Sequence, residues 1–428
     1  MATSEITGEF RRGSGVIVAA ALGIGLGLSP LPFYTIGVFM PVLSEEFGWR
    51  YDQIMVALTV MTLGAFLFAP VAGYLSDRFG AKRVALISTV MFSLVFMSFS
   101  LMTDSLLQFY ATWGLMASLG AGTLPVTWTR GVTSFFEKNR GMALGLALVL
   151  TGPCGALAKV LSDHLIGEIG WRMTYVCVGL APLLITVPIG LLLFRDAPAK
   201  APAISGAISG KSSVSEPGFS LKQALVTSRF WLLAYAFLVM SIGLSGPVPN
   251  LEAIFREKGF EVSNSVLLAS FAGYAVIIGR LSGGWLIDRF WPPGVAILML
   301  TSPILGLLAL AQIDTPSFML CAGAVVLMGA ALGVEYDFLA FMSAKYFGMR
   351  NYSSIYGCLY AFFAIGAAAG PVIGARMFVQ TGSYKAALYV WAGSLVIGAI
   401  ALPFLGRRET IFDDPRPAPV AIPQTTGA

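Results

Sequence analysis

Apolar runs about as long as a bilayer is thick, separated by very short polar turns, constrain this chain more than any other feature. A helix needs about 20 mostly apolar residues to cross the hydrocarbon core. Runs of that length fall at 16–41, 52–75, 84–103, 106–129, 141–162, 172–194, 229–251, 265–287, 293–312, 316–341, 352–376 and 384–405. They are continuous rather than alternating, which argues for helices and against a β-barrel. The polar remainder is too small to cover a water-soluble fold. Only 11% of the 428 residues are charged, against about 25% in soluble domains. The spacing therefore predicts an all-α membrane protein of twelve transmembrane helices embedded in lipid.

The long internal polar stretch is 195–228, rich in Ala, Pro, Ser and Gly, and it reads as a flexible linker. It divides the runs into an N-terminal bundle of six (1–194) and a C-terminal bundle of six (229–405), followed by a Pro-rich tail (406–428). With the N-terminus placed inside, nineteen Lys and Arg residues fall on the cytoplasmic side and six outside, while Lys159 and Arg280 stay within runs. That asymmetry puts both termini, the linker and the tail in the cytoplasm by the positive-inside rule. The expected location is the cell membrane, the inner one where there are two. Arg11 and Arg12 precede a first run too long for a signal peptide, which reads as a retained helix.

The turn Gly73-Tyr74-Leu75-Ser76-Asp77-Arg78-Phe79-Gly80-Ala81-Lys82-Arg83 packs an acid and three cations between two runs. A related pattern, Gly283-Gly284-Trp285-Leu286-Ile287-Asp288-Arg289-Phe290, closes the eighth run. The end of the fourth, Phe135 to Gly141, has a counterpart at Tyr346 to Arg350. Two six-helix halves with an internal repeat point to a transporter that rocks about a central site.

The stretch from Gly73 to Arg83 resembles the signature loop of the major facilitator superfamily, with Gly73, Asp77, Arg78, Gly80 and Arg83 in the expected places and Asp288-Arg289 as a partial repeat. The resemblance covers nearly the whole chain and implies two pseudo-symmetric six-helix bundles. Phe47-Gly48-Trp49, the run from Arg140 to Gly145, and Arg280 resemble the bacterial monocarboxylate and organic-anion branch. The antiporter-type pattern of the fifth helix is only partial: Gly152-Pro153 is present, but the glycines before it are misplaced.

Charges inside a membrane are functional candidates by default. Arg280 can grip a carboxylate in a bidentate fork, and the resemblance implies that it contacts a substrate anion. The other reading is a structural pair with an acid on a neighbouring helix. The family's acid one turn earlier is replaced by Val276. Glu335 and Asp337 stand two positions apart on the tenth helix and face different ways, so at most one of them looks directly onto a pathway. A carboxyl removed from water can take up a proton at physiological pH, which makes both candidates for proton coupling; latching a gate is the other reading. Asp77, Arg78, Arg83, Arg130, Arg140, Asp288 and Arg289 read as gate-forming, since an acid at a helix end beside arginines can hold two bundles together in one state. Prolines kink the first and seventh helices, making Phe33, Tyr34 and Asn250 pocket candidates, with Tyr336, Tyr356 and Tyr360 beyond them. Lys159 and His164 read as interfacial.

The leading reading is a proton-coupled importer of a small organic anion such as a monocarboxylate, acting as a monomer. The alternative is an exporter of amphiphilic or drug-like compounds. One histidine and four cysteines inside apolar runs give no metal site, and no cofactor is expected. Phosphate-loop and hydrolase motifs are missing, against a pump or an enzyme. There is no basic tract for nucleic acid.

Overall fold

A computed structural model of the chain describes residues 2–196 and 218–406. Much of the predicted linker and tail, including Lys200, Lys211, Arg407, Arg408 and Arg416, lies outside the described residues. Among the described residues, ten helical spans are long and apolar enough to cross a membrane. One of them, Arg140–Leu193, is folded in two at Gly170, whose φ of 76° only glycine adopts freely. A further pass at 106–135 is broken into three pieces by a 3-10 turn at Gly120–Thr123. Counting the first twice and adding the second brings ten to twelve. We label them α1 (Glu9–Phe47), α2 (Tyr51–Phe79), α3 (Ala81–Leu101), α4 (106–135), α5 (140–169), α6 (171–193), α7 (Ser228–Glu257), α8 (Val262–Arg289), α9 (Pro292–Gln312), α10 (Phe318–Phe347), α11 (Tyr352–Thr381) and α12 (Lys385–Leu405).

Most of the helices outrun the apolar stretches that announced them. The charged turn at 73–83 is a single residue: α2 stays helical through Asp77 and Arg78 to Phe79, Gly80 turns the chain at φ 91°, and α3 begins at Ala81. Hydropathy detects where lipid contact ends, whereas the backbone bonds carry α1, α2, α4, α5, α7, α10 and α11 a turn or more beyond it, the other helices ending within about a turn of their runs.

Five of the described helices are interrupted along their length: α1 at 26–29, α4 at 120–123, α5 at 149–150, α7 at 246–250 and α9 at 302. A bilayer tolerates non-helical backbone only where protein or a cavity takes up the freed groups. Thr123 does this for α1, since its Oγ1 accepts the Leu28 N–H at 2.9 Å. Prolines mark the same places: Pro30, Pro125 and Pro153 just follow the breaks, and Pro247 and Pro249 sit within the one in α7.

The two halves touch through glycines. A Cβ on Gly357 of α11 would come within 2.6 Å of the Ala69 carbonyl of α2, and one on Gly141 of α5 within 2.6 Å of the Gly284 carbonyl of α8. Small residues allow helices to approach this closely where no hydrophobic force drives them together. These seams lie at the end of the bundle that carries Arg78, Arg130 and Arg289, here called the basic face.

The described end of the linker is ordered, unlike the flexible expectation. The Phe219 N–H donates to the Phe347 carbonyl at 2.8 Å, and a short helix, Leu221–Val226, leads into α7. Ser220 caps that helix, its Oγ accepting from the Gln223 N–H.

Gly357→Val would wedge α2 from α11. Overpacking of this kind destabilises by about 1–3 kcal/mol. In a chain without its native cysteines, thiol labelling at Thr129→Cys, a position Tyr352 covers, is expected to speed up at least about fivefold.

Candidate functional site

Between the halves lies a cavity of about 340 Å3. The interrupted helices build much of its wall: Leu28, Ser29 and Pro30 of α1, Leu124 and Pro125 of α4, Leu148 and Thr151 of α5, and Ser245 and Val248 of α7. Five candidate residues meet here, namely Phe33, Tyr34, Arg280, Tyr336 and Tyr360. Phe33 and Tyr34 are 51% and 38% exposed, packed edge to face at 5.6 Å. Asn250 does not join them. Its amide donates to the Gly246 carbonyl and its Oδ1 accepts from the Tyr384 hydroxyl, so it ties α7 to the start of α12.

Arg280 is the charged residue among those lining the cavity and is only 3% exposed. Its Nη1 stands 3.6 Å from Oδ1 of Asp337 on α10. That is an ion pair across two helices, too long for a hydrogen bond. Nε and Nη1 of Arg280 and both Asp337 oxygens have no hydrogen-bond partner in the protein. The two readings of Arg280 thus meet in one residue, which faces the cavity and also pairs with an acid behind it. Neither acid lines the cavity. Asp337 is 1% exposed and Glu335 is 0% exposed, and the Glu335 oxygens also lack partners. Buried polar groups are nearly always bonded, which sets these groups apart from the rest of the interior.

The basic face is sealed by two carboxylates in related roles. Asp77 of α2 accepts from Arg130 of its own half and, across the interface, from the Ser353 N–H at 3.1 Å, the Ser354 N–H at 2.7 Å and the Ser354 hydroxyl at 2.5 Å. It therefore caps the N-terminus of α11, where unpaired N–H groups and the helix dipole favour an anion. Asp288 of α8 accepts from the Gly141 N–H at 2.6 Å and the Met142 N–H at 2.9 Å, at the start of α5. Each half thus holds the first turn of a helix from the other.

The remaining gate candidates have different partners. Arg140 donates to the Phe136 and Thr133 carbonyls. Arg78 donates to the Tyr74 hydroxyl and lies over Phe79. Arg289 lies over Trp285 and donates to its carbonyl. Arg83 is exposed on α3. Lys159 and His164 are exposed too.

Sequence reasoning missed the backbone side of the gate, because Ser353, Ser354 and Gly141 offer amides that no side-chain pattern announces. It did name Tyr356 and Tyr360. With Tyr352 they form one face of α11 from gate to cavity. Tyr352 donates to Thr129 at 3.0 Å, and successive ring centroids are 5.7 and 6.2 Å apart.

The Major Facilitator Superfamily model matches residues 22–344, and the chain belongs to that family. Among relatives, it is 27% identical over 400 residues to Monocarboxylate transporter 11 of Mus musculus, covering 90% of this chain and 86% of that one. It is 24% identical over 341 residues to the uncharacterized MFS-type transporter YhjX of Escherichia coli, covering 78% and 81%. Of solved structures, it matches the human organic anion transporter MFSD10 with a TM-score of 0.69 at 16% identity, over 91% of this chain and 99% of that one. It matches FucP in the outward conformation at 0.66 and 16%, over 92% and 99%. Family and fold make it a multi-pass membrane transporter of two six-helix bundles.

Asp77→Asn would remove the charge that faces the α11 N-terminus. Charge-assisted hydrogen bonds contribute about 1.5–3 kcal/mol each, so loosening this cap is expected to widen the basic face. Spin-label distances between the α2–α3 and α10–α11 turns should shift toward a longer population. An unchanged distribution would remove Asp77 from the gate.

Proposed function

We propose that the protein takes up a small organic anion of the monocarboxylate kind together with a proton, by alternating access to the central cavity. The carrying observation is Arg280, which faces the cavity with spare donors and has an acid 3.6 Å behind it. Two curated relatives named as monocarboxylate transporters and a neighbouring structure described as a fucose:proton symporter support the reading.

Protonation of Asp337 removes the charge that competes for Arg280, and the freed guanidinium takes the substrate carboxylate in its place. Anion and proton then travel as a neutral pair. When the cavity opens to the other side the proton leaves, Asp337 regains Arg280, and the anion is displaced. Glu335, buried without a partner, is the second acid that can carry charge in the cycle. The positive-inside rule makes the basic face cytoplasmic. In this arrangement Asp77 and Asp288 then close the cytoplasmic side and leave the site to the outside. Changing sides requires both helix caps to break, while the tyrosine face of α11 links cavity to gate.

In proteoliposomes, Arg280→Ala is expected to weaken carboxylate uptake about 10- to 100-fold while insertion persists; undiminished uptake rejects the role. Uptake by the unaltered protein should rise as the outer medium is acidified, because the proton is a co-substrate. Asp337→Asn should flatten that dependence, and a pH profile parallel to the original would move the coupling elsewhere.

A further inference from the structure

We infer that the cavity selects an acid with one carboxylate and one aromatic ring over short aliphatic acids and over dicarboxylates. The inference rests on the proposed role of Arg280 as the carboxylate anchor.

Three observations carry it. The first is size. About 340 Å3 lies within the range of pockets that enclose drug-sized ligands, about 300–1,000 Å3, so a two- or three-carbon acid leaves much of the space unfilled.

The second is the pair of aromatic walls, one from each half. On the C-terminal side Tyr336, Tyr360 and Phe363 form a mutual cluster, with centroid separations of 4.7 Å for Tyr336–Phe363, 5.6 Å for Tyr360–Phe363 and 5.8 Å for Tyr336–Tyr360. All three line the cavity. On the N-terminal side Phe33 and Tyr34 also line it and present substantial exposed ring surface. An aromatic ligand can meet both walls in the stacked or edge-to-face geometries that rings prefer. Contact with both halves also gives it a means of drawing them together.

The third is charge. Arg280 is the single cation among the described lining residues. A second carboxylate on the ligand would find hydroxyls, rings and apolar surface but no countercharge, and burying an unpaired charge is strongly unfavourable. Selectivity therefore follows from one charge at one end and ring surface at the other.

The test is thermal-shift titration of the purified full-length protein with benzoate, phenylpyruvate, acetate, lactate and terephthalate, repeated on Phe33→Ala. Phe33 is half exposed, so its truncation leaves the packed interior intact. Benzoate or phenylpyruvate is expected to stabilise at concentrations at least about tenfold below acetate and lactate, with terephthalate ineffective. Phe33→Ala should shrink the aromatic-to-aliphatic ratio several-fold. Acetate and lactate acting as well as the aromatic acids, or terephthalate matching benzoate, overturns the inference while the carboxylate reading stands. Stabilisation by none of the five overturns both.

Discussion

Inside a bilayer every backbone N–H and C=O must find its partner within the protein, and the architecture follows from that constraint. Continuous helices satisfy it over most of the chain. The break in α9 at 302 lies away from the central cavity, whereas at the breaks in α1, α4, α5 and α7 the irregular backbone borders it. The same breaks remove bulk from the middle of the bundle and expose hydroxyls such as Ser29, Thr151 and Ser245 to the interior. Four of the helix breaks thus contribute directly to the cavity.

The constraint also explains the contacts between the halves at the basic face. Helix ends at the basic face carry unpaired N–H groups, and Asp77 and Asp288 supply the anions that satisfy them from the opposite half. Such contacts can be made or broken as units, because helix end and carboxylate are both exposed once separated. Glycine seams at Gly357 and Gly141 let the halves come close enough for the caps to form. A lone ionised group deeper in the membrane has no such recourse to water. Arg280 and Asp337 answer each other at 3.6 Å instead.

Several features were legible beforehand because they are properties of side chains in sequence. The repeated acids at 77 and 288, the single embedded arginine at 280, and the two carboxyls on α10 stand out against an apolar background. Other features depend on neighbours distant in the chain. Asn250 belongs on paper with the pocket, yet Tyr384, 134 positions away, engages it. Arg78, Arg140 and Arg289 share the gate's composition but find their partners within their own turns. The linker reads as flexible by composition, yet its end pairs with the α10–α11 turn. Where helix limits exceed the apolar runs, as in α4, α5 and α10, it is because backbone bonding does not stop at the edge of lipid.

By itself, then, the sequence determined the number of membrane passes, their division into two halves, the repeated charged turns and the family resemblance. All of these rest on local hydropathy and spacing. Tertiary structure alone decided that Asp77 caps α11, that Asp288 caps α5, that Arg280 faces both a cavity and Asp337, and that aromatic rings from both halves wall that cavity. Each of these joins residues from separate helices. Their meeting depends on how closely small residues let the helices pack and on which face each helix turns inward, quantities fixed only when the whole bundle is assembled.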